Sequence, residues 1–267
     1  MNTDVDLRAE LEKRRDFVAR LEQERADVQN EVDAFRLEYN RRVGDLQADL
    51  DVLDLHVAEY KLRNELVRLR GNSLDAHKLE AEVEWRLRDR REQFAGYRES
   101  VRQAQRAPLP NAIDAASGSE LRSVYRDLAK RIHPDLTTDP ADRVERDRLM
   151  ADINAAYARS DLPSLKAISA RLAGAAGAVR CSEDAEWLRA EIARLDLLII
   201  DIRSSIAEMN RSDWLAMKLD SVLARSRGLD WFASARRTLE ARIPERRAEL
   251  EALIAEFREL VRTAGLA

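Results

Sequence analysis

The chain has 267 residues, of which 36 % are charged and 5 % aromatic, with only 8 glycines and 6 prolines. So few turn formers and aromatics exclude a β-sandwich or barrel, and abundant Ala, Leu, Glu and Arg, which lose little rotamer freedom in a helix, point to an all-α fold. The 46 basic and 50 acidic residues leave a net charge of −4 and are mixed along the whole length, whereas a nucleic-acid binder concentrates a basic face against phosphates; nucleic acid is not an expected partner. Cys181 is the only cysteine, so neither an intrachain disulfide nor a cysteine zinc cluster can form. Met1 to Arg15 alternates acids and bases without the apolar stretch of a signal peptide. The longest aliphatic run, Leu197 to Ile200, is too short to span a bilayer. A cytoplasmic protein with no membrane partner is the expectation.

Residues 1–106 read as an amino-terminal coiled-coil arm of two helices, about 5–70 and 74–105. In the first, Leu7, Leu11, Val18, Leu21, Val28, Val32, Phe35 and Tyr39 recur at spacings that build the narrow apolar seam of a coiled coil. Arg14 and Arg25 interrupt that seam. The step from Tyr39 to Val43 is four residues where three is due, a stutter that locally unwinds a supercoil. The seam resumes through Leu46, Leu50, Leu53, Val57 and Tyr60. At 1.5 Å per residue such a helix is about 100 Å long. Gly71-Asn72-Ser73 ends it, since Gly and Asn tolerate the left-handed conformation that closes helices. The second helix carries Leu79, Val83, Leu87, Phe94, Tyr97 and Val101 on one side. It is half as long, so residues 5–38 need another surface: a second copy, the carboxy-terminal arm or a different protein. A homo-oligomer through residues 5–60 is one expected outcome.

Residues 107–118, with Pro108 and Pro110, are a linker. Ser117-Gly118-Ser119-Glu120 has capping-box spacing and places a helix start near Ser119. Residues 119–172 form a compact middle segment, and 173–183, with Gly174 and Gly177, a joint. Residues 184–267 read as an antiparallel helical hairpin. Leu188, Ile192, Leu195, Ile199, Ile202, Ile206 and Met209 form one seam, and Leu239, Ile243, Arg246, Leu250, Leu253, Phe257 and Leu260 the other, with Gly228 between them. Ser212 is placed to cap a helix, and Pro244 removes a backbone donor from the return helix. Trp214, Trp231 and Phe232 fall near the tip, where they serve either ordinary packing or a client-binding patch.

The middle segment carries the chemistry. Leu121, Val124, Leu128 and Ile132 make an apolar helical stripe, and Arg122, Arg126 and Lys130 a basic one beside it. Pro134 forces the chain out of the helix, because the residue before a proline avoids α geometry, so His133 and Asp135 are expected exposed at the head of a loop. A second amphipathic helix over about 141–159 presents Val144, Leu149, Ile153, Ala156 and Tyr157 and should pack antiparallel to the first. An enzyme is not expected. His56 sits in the coiled-coil pattern and His77 near a helix start, and no nucleophile–base pair, phosphate-binding glycine loop or metal-ligand cluster stands out. Neither metal nor cofactor is expected.

Leu121, Tyr125, Leu128, Ala129, His133-Pro134-Asp135, Ile153, Ala156 and Tyr157 together resemble the J domain of the DnaJ family. The resemblance spans about residues 118–160. It implies a co-chaperone that recruits a DnaK-type (heat-shock 70 family) chaperone and stimulates its ATPase. By this resemblance His133, Pro134 and Asp135 are the essential contacts, and Arg122, Tyr125, Arg126 and Lys130 the electrostatic and packing contacts. The segment departs from the family pattern in lacking a recognisable first helix in 107–118, in Asp127 where a base is common, and in Leu136 after the tripeptide. No glycine-phenylalanine region or zinc-binding cysteine repeat accompanies it. The resulting expectation is an elongated all-α adaptor: coiled-coil arms bind or position an unknown client, and a truncated J-like hairpin recruits the chaperone. The rival is a structural coiled-coil scaffold whose J-like segment is inactive.

Overall fold

The computed structural model describes residues 2–70, 75–107, 115–137, 139–174 and 184–264. Among them are nine α-helices and no strand: α1 (Asn2–Arg42), α2 (Gly44–Arg70), α3 (Ala76–Arg106), α4 (Ala115–Ile132), α5 (Pro140–Ala158), α6 (Leu162–Gly174), α7 (Ala185–Asn210), α8 (Asp213–Ser226) and α9 (Trp231–Thr263). One 3₁₀ turn, Pro134–Leu136, lies between α4 and α5. The all-α expectation holds. The expected break at Gly71-Asn72-Ser73, the prolines 108 and 110 of the linker, and Gly177 and Cys181 of the joint lie outside the described residues. None of the described helices is long and apolar enough to cross a membrane.

The chain does not divide in the linear order that its patterning suggests. One compact unit comprises Met1–Asp33 and Leu109–Ala216, the other Ala34–Pro108 and Met217–Ala267. Helices α1 and α8 each contribute to both.

In the first unit, Leu11, Val18 and Leu21 of α1 pack against Leu188, Leu195, Ile199, Ile202 and Ile206 of α7. Of the three surfaces that residues 5–38 could use, the carboxy-terminal arm is the one the chain supplies to their first half. The seam's polar positions are also accommodated: Arg14 Nε donates to Asp196 Oδ1 at 2.6 Å, and Arg25 pairs with Glu22 at 2.6 Å. Helices α4, α5 and α6 enclose a second core of Leu121, Tyr125, Leu128, Ala129, Ile132, Met150, Ile153, Ala156, Tyr157 and Leu165, which Ala19 of α1 joins. Helix α4 starts at Ala115 instead of Ser119, so Ser117 to Glu120 are helical residues and not a cap. Val144 of α5, expected in the hairpin interface, is 53 % exposed.

In the second unit, α2 packs against α9 and α3. Leu66, Val67, Leu79 and Val83 form the core there, with Phe257 and Leu260 against it. Asn64 Nδ2 donates to the Leu253 carbonyl and to Glu256 Oε2, both at 3.1 Å. The off-pattern Arg246 reaches Asp54 at 2.8 Å. Continuous helix over 5–70 is replaced by a break at Val43, where the stutter lies. A Cβ on Gly44 would meet Val101 Cγ2 at 2.9 Å, so glycine there lets α2 and α3 approach.

The hairpin expected over 184–267 is therefore corrected. Its two seams pack on different partners, α7 on α1 and α9 on α2. A heptad pattern specifies that a face be covered, not by which helix. Two local expectations hold: Ser212 accepts from the Leu215 N–H at 3.4 Å at the start of α8, and Gly228 turns the chain with φ +74°. Phe232 is 3 % exposed, and Phe35, tilted, and Trp231, edge-on, pack against it at 5.7 and 5.2 Å between ring centroids. These rings are thus packed within the second unit rather than presented as a patch.

Candidate functional site

The tripeptide sits where α4 ends. The His133 N–H still bonds to the Ala129 carbonyl at 3.1 Å, and Pro134 then opens the 3₁₀ turn. The ring folds back to cap that turn: Nδ1 accepts from the Asp135 N–H at 3.1 Å. A nitrogen that accepts carries no proton, so in the neutral ring the proton lies on Nε2. Nε2 is 3.0 Å from Glu22 Oε1 and donates to it. Asp139 caps α5 through the Ala141 N–H at 3.0 Å, with Pro140 in the first turn, where a missing donor costs nothing.

The expectation of an exposed His133 is overturned. It is 5 % exposed, and its partner Glu22 is 1 % exposed. Glu22 belongs to α1, which covers the end of α4. Arg25 lies 2.6 Å from the other Glu22 oxygen as an ion pair; this matters because a buried carboxylate needs compensation for lost hydration.

The other expected contacts divide. Tyr125, 1 % exposed, is a core residue and not a surface contact. Its ring lies 4.4 Å from that of Tyr157, its hydroxyl donates to Asn154 Oδ1 at 2.8 Å, and burial pushes that hydroxyl's pKa well above the usual tyrosine value. Asp135 pairs with Arg143 at 2.6 Å. Pro134 is half-buried. Of the basic stripe, Lys130 Nζ meets Asp16 at 2.6 Å and Glu12 at 3.0 Å. Arg126 donates to Gln23 Oε1 at 3.1 Å. Arg122 is exposed, 4.0 Å from Asp27. Asp127 is exposed. The Asp16 carboxylate, foremost, and Glu12 hold the Lys130 ammonium above its ordinary pKa against the opposing effect of burial. Burial alone would raise Glu12, but Lys130 and Arg15 outweigh it and hold the carboxyl below its ordinary value.

Sequence reasoning missed the α1 side of this site: Glu12, Asp16, Glu22, Gln23 and Asp27. A signal was available. Glu12, Asp16, Ala19, Gln23 and Ala26 recur at spacings of four and three beside the leucine seam, a second helical stripe of polar and small residues. Ala19 and Ala26 both touch the α4–α6 core, and their small side chains let α1 lie close. Tyr157 completes the contact by donating to Asp27 Oδ1 at 2.5 Å. Among the described residues no group of three or more His, Cys, Asp or Glu is arranged to hold a metal ion.

Compared with known protein families, with curated proteins and with solved structures, the chain matches none.

Proposed function

We propose that the middle segment is a J-type module and that the protein is an adaptor recruiting a DnaK-type chaperone, with the flanking helices binding or positioning a client. The observation that carries this reading is the joint placement of its residues. Leu121, Tyr125, Leu128, Ala129, Ile153, Ala156 and Tyr157 share one helical core, and that core turns the chain at His133-Pro134-Asp135 with a basic stripe on the helix before it. An ordinary helix stop needs Pro134 but none of the other matches. In this reading Arg122, Arg126, Lys130 and Asp135 meet the chaperone, Tyr125 holds α4 against α5, and His133 shapes the turn. Steady-state ATP turnover by a DnaK-type chaperone should rise on addition of the protein. Arg122→Glu, at an exposed position, should reduce the rise without changing the melting temperature. The proposal fails if turnover is unmoved both by the wild type and by a variant carrying Glu12→Lys and Asp16→Lys.

A second reading is a helical scaffold in which the J-like hairpin only packs. The buried His133–Glu22 pair favours it, since the motif's histidine is consumed inside the chain. The same turnover measurement separates the two.

A further inference from the structure

Helix α1 supplies polar partners along the whole basic face of α4. Glu12 and Asp16 neutralise Lys130, Gln23 holds Arg126, Asp27 faces Arg122, and Glu22 accepts a hydrogen bond from His133. We infer that α1 is an intramolecular cap on the J-type face, its acidic stripe occupying the place of the chaperone's own acidic surface, so that the chaperone engages only molecules in which α1 has separated from α4. This inference rests on the J-type reading and adds its regulation.

Three observations carry it. The first is charge complementarity: acids and an amide of α1 oppose Arg122, Arg126 and Lys130 in register along the two helices. The second is steric. His133 is 5 % exposed because Glu22 of α1 lies over the end of α4, and a partner cannot approach from that side the turn that His133 shapes. The third is the character of the contact. Glu12 and Asp16 keep about half of their side-chain surface in water, 52 % and 51 %. Exposed pairs of this kind contribute little each, so the resistance to opening resides mainly in the buried Glu22–His133 contact and in Ala19. When only a fraction of molecules is competent, the apparent affinity for the partner falls by that fraction.

The test uses the full chain in two opposed variants. Glu12→Lys with Asp16→Lys turns attraction to Lys130 into repulsion and loosens the cap. Gln23→Glu gives Arg126 a carboxylate and tightens it. Helicity and melting are checked against the wild type for both, and the concentration giving half-maximal stimulation of the chaperone's ATP turnover is measured. The loosened variant should need about threefold to tenfold less protein and the tightened one more, in proportion to the competent fraction. Adding Arg122→Glu to the loosened variant should raise the requirement again, showing that the exposed face is the one used. Equal half-maximal concentrations for wild type, loosened and tightened chains overturn the cap while leaving the J-type reading intact. Stimulation by none of them removes that reading, and the cap with it.

Discussion

Helix α1 meets its neighbours in the first unit with two unlike faces, and the contrast bears on how this part of the protein works. Toward α7 it presents Leu11, Val18 and Leu21, all nearly inaccessible, against leucines and isoleucines that are equally buried. Toward α4 it presents acids, an amide and two alanines. Apolar burial contributes about 25 cal/mol per Å² and is not weakened by charge screening, whereas exposed ion pairs contribute about 0–1 kcal/mol each and are screened. The α7 face therefore anchors the helix, and the α4 face is held by screened pairs together with the buried Glu22–His133 contact and Ala19. An element attached firmly on one side and weakly on the other is suited to uncovering a surface.

Substitutions on the two faces should behave differently, and the largest effect belongs to the anchor. Leu195 is fully buried in the α1–α7 core. Leu195→Ala should lower the unfolding free energy by about 2–5 kcal/mol, the usual cost of a truncated core leucine, read from urea denaturation. A loss below about 1 kcal/mol would mean that the two faces are not distinct in strength. Next comes the one buried polar contact on the α4 face. Glu22→Ala leaves the Nε2–H of His133 without its acceptor and should cost about 1–3 kcal/mol. Glu22→Gln keeps an acceptor and should cost less. Equal losses in the two would show that the carboxylate's charge, and not the hydrogen bond, holds His133.

Smaller again is the doubly reversed Glu12→Lys, Asp16→Lys chain. Its stability should change by no more than about 1–2 kcal/mol, the range of two exposed pairs, and the difference from wild type should shrink in high salt. A salt-independent loss would place these residues in packing instead. The smallest effect is that of acid. Because Glu12 is held below its ordinary value, its contribution is complete above the unfolded-state pKa, about 4.5, and disappears as pH falls through the lower folded value. Lys130 has the opposite sign: held above its ordinary value of 10.5, it contributes fully below that pH and loses its share only as pH rises through the higher folded value. The stability difference between wild type and Glu12→Gln should thus be present near neutrality and vanish once the pH has fallen below the lowered folded value of Glu12. A difference that persists there would remove the Lys130 pairing as its cause.

Much of the site was legible residue by residue. The apolar stripe of α4, the place of Ala156 and Tyr157 on the apolar face of α5 and the turn at Pro134 follow from helical periodicity and the restriction a proline places on its predecessor, and all fall where expected. The exposure of His133 was not legible. Periodicity within α4 shows which residues share a face, but the group covering that face, Glu22, lies 111 positions earlier in the chain. Tyr125 was misjudged for a related reason: at helical spacing from Leu121 and Leu128 it belongs to the apolar stripe, and only its ring contact with Tyr157 reveals it as core.

By itself the sequence determined the helical class, many helix boundaries to within a few residues, and the glycine turn at Gly228. These depend on local propensity, capping and the period of apolar residues, all of which act over a few turns of chain. Tertiary structure alone decided the pairing. The seams of α7 and α9 are similar in length and composition, and each would suit the other, yet one closes on α1 and the other on α2. Heptad seams are interchangeable at the level of hydrophobicity; their partners are selected by details such as Arg14 meeting Asp196, Asn64 reaching the Leu253 carbonyl, and Ala19 leaving room beside α4. Those selections depend on residues far apart in the chain arriving at one place, a property that no local pattern encodes.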